Sequence, residues 1–468
     1  MAVKFNIRNL RVFLLLLLMT IAAFLLLSNV EQVHQLAVTQ PPHRIEKIEL
    51  ESLELVEETY EDIPLEHKMT TESPRLVTQR TLELKKLLKC RDRQLKLEKV
   101  QHGDYWVIKN LVIGRESQRM GCAESITYTT NGDFTFFDNL ETVAQRWLGP
   151  ISFAIHSPGY DLNSTLDAIQ YVRNCLPGSQ LISDYVSFHV FFAHAHMPEY
   201  VPYDESETLN WPYNCVAEDG DLLMPPYYQN RNQMYKVQAN MTYPINVGRN
   251  IARHAANTHF IFACDIELYP SLGFVDQFLN MVYHNNSVLQ LDPKLPPRVY
   301  PLPVFEIHED VMVPNDKNEL MQLFHKKKAQ LFHAHLCQNC HKVPGYQNWL
   351  NQKSNSSDQL KLFSKTLRQD TFKYWEPFYV SDNREPFFDE RVTWEGQSNK
   401  RIQGYAMCLL GYEYHVLHPA FLVHSPGIKI PSGNSTRAIY AKEMTRFIKS
   451  KIQPEYRVLY GKNKKCFT

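Results

Sequence analysis

From about residue 120 the chain alternates between two hydrophobic periods. Residues 125–130 are rich in β-formers, and Val186, Phe188, Val190 and Phe192 recur at every second position, the period of a strand. Residues 151–155 and 260–263 are short apolar runs that also read as strands. Between them Leu140, Val143 and Trp147, then Leu166, Ile169 and Val172, then Ile245, Gly248, Ala252 and Ala255 recur at helical spacing. Strand–helix alternation of this kind predicts an α/β domain with a largely parallel sheet. Residues 300–468 mix strands, loops and aromatics without an internal repeat, and read as the second half of the same domain.

The N-terminus breaks the pattern. Lys4, Arg8 and Arg11 precede an apolar run from Val12 to Leu27 that only Thr20 interrupts. A spanning helix needs about 20 apolar residues, with a range of about 17–25; a signal-peptide core has about 7–15. No small-x-small cleavage site follows the run, so residues 12–28 read as an uncleaved signal anchor, a cleaved signal peptide being the alternative. The positive flank leaves residues 1–11 in the cytosol and sends the rest across, a single-pass type II topology. Residues 31–99 lack long apolar periodicity: a Pro41-Pro42 pair, an acid-rich stretch over 46–66 and a basic, helix-prone run over 82–99 read as a lumenal stem, set at residues 29–119. No heptad persists long enough for a coiled coil. That leaves residues 120–468 as the catalytic domain.

Composition adds constraints. The 468 residues carry 50 basic and 50 acidic side chains, which excludes a global electrostatic footprint for nucleic acid. Five sequons, at Asn163, Asn240, Asn285, Asn355 and Asn434, agree with passage through a glycosylating compartment. Nine cysteines in an oxidising lumen predict several disulfide bonds, and the odd number leaves at least one thiol outside them.

The strongest candidate for chemistry is the end of the 260–263 strand, where Asp265-x-Glu267 places two carboxylates at a sheet edge. Residues i and i+2 of an extended chain point the same way, and paired carboxylates suit Mg²⁺ or Mn²⁺. Upstream, Asn246, Arg249, Asn250 and Arg253 form one polar stripe on a helix that feeds this strand. Arginine there can fork onto a phosphate, though an ordinary solvated face has the same pattern. His424, at the end of the apolar segment 420–423, can complete a Mn²⁺ site, with His415 and His418 as competitors. Asp389, Glu390 and Glu395 are candidates for the general base of a displacement at a sugar carbon, Asp389 first. His333, His335, Cys337, Cys340 and His341 have zinc-like spacing, but a lumenal compartment favours disulfide chemistry.

These motifs in this order, with Tyr243-Pro-Ile-Asn-Val-Gly-Arg-Asn250, Trp349, Phe388-Asp-Glu-Arg391 and Phe421-Leu-Val-His424, resemble glycosyltransferase family 49. The likeness is to its β-1,4-glucuronyltransferase type, related to the C-terminal domain of the LARGE xylosyl/glucuronyltransferases, and covers roughly residues 120–460. The resemblance implies a Golgi membrane enzyme with a GT-A-type (Rossmann-like) fold, inverting the anomeric centre with Mn²⁺ and a UDP-sugar, UDP-glucuronic acid foremost. It implies a glycan or glycoprotein acceptor of the xylose-terminated O-mannosyl kind, and allows a homodimer or a partner glycosyltransferase. Asp265 and Glu267 take the place of the family's D-x-D and His424 that of its C-terminal metal ligand, with Asn246, Arg249, Asn250 and Asp265 beside the donor. Glu267 stands where the family generally has Asp, which leaves a catalytically silent glycan-binding or partner-stabilising protein as the alternative. For a glucuronate carboxylate, Arg384, Arg391, Lys400 and Arg401 are equally eligible.

Overall fold

A computed structural model describes residues 77–468, apart from 210–211, 338, 355–358, 426 and 430–434. The expected cytosolic tail, anchor and most of the stem lie outside the described residues, as do Asn355 and Asn434. Among the described residues no helix is long and apolar enough to cross a membrane.

The chain begins with helix α1 (Gln79–Leu88), followed by the hairpin β1 (Glu98–His102) and β2 (Tyr105–Val112). Then come β3 (Ile126–Gly132), α2 (Leu140–Trp147), β4 (Ile151–His156), α3 (Asp161–Asn174) and β5 (Val186–Ala193). Helix α4 (Ile245–Ala255) leads into β6 (Phe260–Ala263) and β7 (Leu268–Pro270), and α5 (Phe274–His284) follows. The second half holds β8 (Arg298–Leu302), β9 (Val304–Ile307), β10 (Ala329–Leu331), β11 (Lys361–Leu367) and β12 (Phe378–Ser381). Helix α6 (Asn399–Leu409) precedes β13 (Glu413–His418) and β14 (Leu422–His424).

Ten strands form one sheet in the order β1-β2-β5-β4-β3-β6-β12-β8-β13-β11. The expected parallel arrangement holds at the centre, where β5, β4, β3 and β6 run together, and recurs where β13 pairs with β8. Helices between these strands provide the crossovers that parallel pairing needs. The flanks are mostly antiparallel: β1 returns on β2 through a turn at Gly103 (φ +57°), β2 pairs β5, and β12 runs against both β6 and β8. The fold is therefore mixed α/β. Residues 98–112, assigned to the stem by composition, are strands of this sheet, and Cys90–Cys122 ties the segment before them to it. Their few apolar positions sufficed because an edge hairpin buries mainly one strand: Ile108, Leu111 and Val112 are in the core while most of β1 is exposed.

One face of the sheet carries an aromatic core in which Tyr128, Trp147, Phe262, Phe274 and Phe278 are stacked or edge-on at 5.2–6.2 Å between neighbouring rings. On the other face α4 lies across β2, β4 and β5, burying Val247, Ile251 and Ala252 against Val107, Ala154 and Phe191. Gly248 permits that approach, since a Cβ there would sit 2.8 Å from Cβ of Asn131 on β3. A second sheet, β10-β9-β14-β7, sets His424 opposite Leu268 and beside Glu306. The two sheets therefore bring residues far apart in sequence to the carboxyl end of β6.

Candidate active site

The Asp265–Glu267 turn is rigidly supported. Tyr128, fully buried, donates its hydroxyl to the carbonyls of Asp265 (2.7 Å) and Leu268 (2.9 Å). Cys264 N–H donates to the Thr129 carbonyl at 3.0 Å, and Leu268 N–H to that of Asp265 at 3.1 Å. Burial pushes the Tyr128 phenol well above its ordinary range, which keeps it a donor.

Asp265 faces two cations: Oδ1 lies 2.9 Å from Arg249 Nη2 and Oδ2 3.2 Å from Lys400 Nζ. Burial works to raise this carboxyl, but Lys400 and Arg249 outweigh it and hold it well below the usual range. The Lys400 ammonium also stands 3.6 Å above the Phe378 ring. Glu267 points the other way, its Oε2 3.6 Å from both His424 Nε2 and Lys429 Nζ. Burial would raise its carboxyl, yet His424 and Lys429 bring it below its ordinary value.

His424 is 2% exposed, and among the described residues neither ring nitrogen has a hydrogen-bond partner, 3.6 Å being too long for one. An orphaned buried nitrogen costs about 1–3 kcal/mol. A buried imidazole with free nitrogens beside a carboxylate is a donor set suited to Mn²⁺. Among the described residues no three His, Cys, Asp or Glu side chains converge on one point. Of the three expected ligands the structure pairs Glu267 with His424, while the Asp265 carboxylate is turned to Arg249 and Lys400.

The polar stripe of α4 is not a solvated face, and only part of it meets the carboxylates. Arg249 does, and it also contacts Asn246 Oδ1 (3.0 Å) and Asn399 Oδ1 (2.8 Å). Asn246 donates to the Asp389 carbonyl at 2.8 Å, and Asn250 exchanges hydrogen bonds with the Phe388 backbone at 2.8 and 3.0 Å. Arg253 is fully buried on Glu385 (3.1 Å), Asn383 Oδ1 and the carbonyls of Glu385 and Pro386. Asn246 and Asn250, expected beside the donor, hold the 383–390 segment through its main chain. Hydrophobic periodicity marks such residues as polar but does not say which main chain they meet.

The three candidate bases part company. Asp389 is 8% exposed; Arg391 forks onto both its oxygens (2.9 and 2.7 Å) and the Tyr456 hydroxyl donates to Oδ2 at 3.1 Å. Glu390 Oε1 accepts from Asn250 and His102, each at 2.7 Å. Glu395 accepts only the Tyr243 backbone N–H, at 3.1 and 3.2 Å, among the hydrogen bonds of the described residues. The Tyr243 hydroxyl donates to Asn131 Oδ1 at the end of β3 (2.6 Å). Burial raises the Tyr243 phenol, and so do Asp133, Asp265 and Glu395, with Arg249 opposing. The neighbouring Trp394 is 44% exposed, with the Arg437 guanidinium 3.7 Å above its ring.

Elsewhere the cysteines pair as Cys90–Cys122, Cys175–Cys215, Cys337–Cys340 and Cys408–Cys466, leaving Cys264 buried and free. The zinc-like spacing is thus a disulfide. Nearby His341 is pushed down to about 3 by burial, and its Nδ1 meets the Glu376 carbonyl at 3.0 Å. Asn163, Asn240 and Asn285 are exposed. Of the four cationic candidates for a sugar carboxylate, Arg384 pairs Asp382, Arg391 pairs Asp389 and Arg401 pairs Glu376; Lys400 alone reaches Asp265. Sequence reasoning missed Tyr128 and Lys429; the Ser-Pro-Gly turn after His424 was legible, with Gly427 at φ +76°, but not that Lys429 beyond it returns to Glu267.

Carboxylates, cations and a buried imidazole gather at the strand ends of a mixed α/β domain, where open sheets of this kind bind their ligands. Residues 125–461 match the family described as "Glycosyl-transferase for dystroglycan", glycosyltransferase family 49, and the chain belongs to it. The chain is a glycosyltransferase. It is 28% identical over 334 residues to beta-1,4-glucuronyltransferase 1 of Danio rerio, covering 70% of this chain and 73% of that protein. With the Homo sapiens protein of the same name, identity is 32% over 190 residues, 41% of this chain and 42% of the relative. With the xylosyl- and glucuronyltransferase LARGE2s of Gallus gallus it is 25% over 290 residues, 61% of this chain and 30% of that protein. The matched region thus spans less than half the length of the human relative.

Proposed function

We propose that this chain has a GT-A-type fold and moves glucuronic acid from UDP-glucuronic acid to a glycan acceptor, with inversion and with Mn²⁺. The single observation that supports this most is His424, a buried imidazole facing Glu267 near the end of β6 with no hydrogen-bond partner among the described residues. Glu267 and His424 would hold the ion, with Asp265 close by. When bound, Mn²⁺ would supply Lewis-acid neutralisation of the departing diphosphate. Arg249 and Lys400 make the surroundings of Asp265 positive, and are the chain's own groups for orienting a diphosphate.

Glu395 is the base in this scheme, because Asp389 and Glu390 are already committed to Arg391, Tyr456, His102 and Asn250. It takes the proton of the acceptor hydroxyl while that oxygen attacks the anomeric carbon. The bond from that carbon to the β-phosphate oxygen breaks, and its electron pair leaves with UDP. Trp394 offers a half-exposed indole beside Glu395 on which the apolar face of an acceptor sugar can rest. A xylose-terminated O-mannosyl-type glycan is the proposed acceptor, in keeping with the names of the relatives. The apolar run at residues 12–28 supports a single-pass type II protein of the Golgi membrane with residues 29 onward lumenal.

A panel of UDP-sugars with Mn²⁺ and simple xyloside acceptors, run beside Glu267→Ala, tests the proposal. Transfer from UDP-glucuronic acid that Glu267→Ala abolishes is the expected result. Preference for another UDP-sugar reassigns the donor, and UDP binding without turnover across the panel means a silent protein of the same family.

A further inference from the structure

Lys429 has no part in the scheme above, yet its ammonium stands 3.6 Å from Glu267 Oε2, the same oxygen that His424 Nε2 faces at 3.6 Å. A positive group of the chain itself lies where a metal held by Glu267 and His424 would repel it. The backbone of Lys429 is tethered: its N–H donates to Glu306 Oε2 at 3.4 Å. Glu306 is fully buried on β9, in register with His424, and Gln330 donates to its other oxygen at 2.7 Å. The Lys429 side chain, in contrast, is 40% exposed and carries a flexible four-carbon stem. Its backbone is held while its charge is free to swing.

Charge counting gives the swing a direction. Arg249, Lys400 and Lys429 stand against Asp265, Glu267 and the buried Glu306, so an added divalent cation leaves the cluster with an excess of positive charge. A divalent cation on Glu267 makes the ammonium there electrostatically unfavourable, and a diphosphate is the compensating anion that nucleotide binding brings. We propose that Lys429 is an exchangeable counter-ion, which neutralises Glu267 before the metal binds and then meets the diphosphate of the nucleotide. This rests on the metal and UDP-sugar reading given above.

Lys429 then competes with the metal and cooperates with the nucleotide, so removing its charge has opposite effects on the two. Lys429→Met keeps the apolar stem. In the full-length protein, Mn²⁺ affinity without nucleotide, read by electron paramagnetic resonance of the free ion, should tighten roughly threefold to fivefold. UDP affinity at saturating Mn²⁺, read by calorimetry, should weaken roughly tenfold, and Lys429→Arg should largely restore it. Shifts in the same direction, or no shift in either, overturn the counter-ion proposal; a merely structural lysine would weaken both. Wild-type protein that binds neither Mn²⁺ nor UDP overturns the underlying metal and donor reading instead.

Discussion

Glu390 shows how one carboxylate can fix a loop and tune a neighbour. Its Oε1 accepts from Asn250 and from His102 Nε2, so the histidine must be the donor. The hydrogen bond and charge of Glu390 raise the His102 pKa above 6.5, with partial burial opposing. A raised pKa in the folded protein means that the pair's stabilisation is complete below about 6.5 and fades as pH rises through the folded value. Glu390→Gln should lower the His102 pKa to its ordinary value or beneath, measured by NMR titration, and should destabilise the protein more at pH 5.5 than at pH 8. An unshifted His102 would refute this assignment. Asp389, by contrast, is bound on both oxygens by Arg391 and on Oδ2 by Tyr456, contacts that its position in the sequence did not announce.

Helix α4 works as a clamp. Its apolar side lies on the sheet, and Asn246, Asn250 and Arg253 grip the 383–390 segment through its main chain. The clamp's anchor is the Arg253–Glu385 pair, both side chains essentially without exposure, with the Phe387 ring 4.7 Å from the guanidinium. Breaking such a pair leaves a buried charge alone, so Arg253→Leu should cost about 3–5 kcal/mol in chemical denaturation. The double variant with Glu385→Leu should recover much of that loss, since no lone charge remains. A loss under about 1 kcal/mol for the single variant would show the anchor to be dispensable. The clamp carries the loop that follows, on which the proposed base Glu395 stands, and so links stability of this element to geometry there.

At the scale of the whole molecule, the central strands and helices were legible because their periods are long and regular. The runs at 151–155, 186–192 and 260–263 became β4, β5 and β6, and the stripes at 140–147 and 245–255 became α2 and α4. The antiparallel flanks were not, because a strand's period does not name its neighbour or direction. The β1–β2 hairpin was hidden in a charged stretch whose exposed strand resembles a stem. The Asp265 and Glu267 positions and His424 could be picked from motif order, but their separation into an Arg249–Lys400 half and a His424–Lys429 half could not. That division arises only when β14 pairs with β7 across 150 residues of intervening fold, as Phe421 and Ser271 do at one contact.

The central claim is metal-dependent glucuronyl transfer at Glu267 and His424, and metal restoration tests it most directly. Full-length protein stripped with EDTA is assayed with UDP-glucuronic acid and a xyloside while Mn²⁺ is returned. The account predicts no transfer before Mn²⁺, recovery with it, and a loss of roughly 100-fold or more in Glu267→Ala. Full transfer in EDTA, or full transfer by Glu267→Ala, would contradict it.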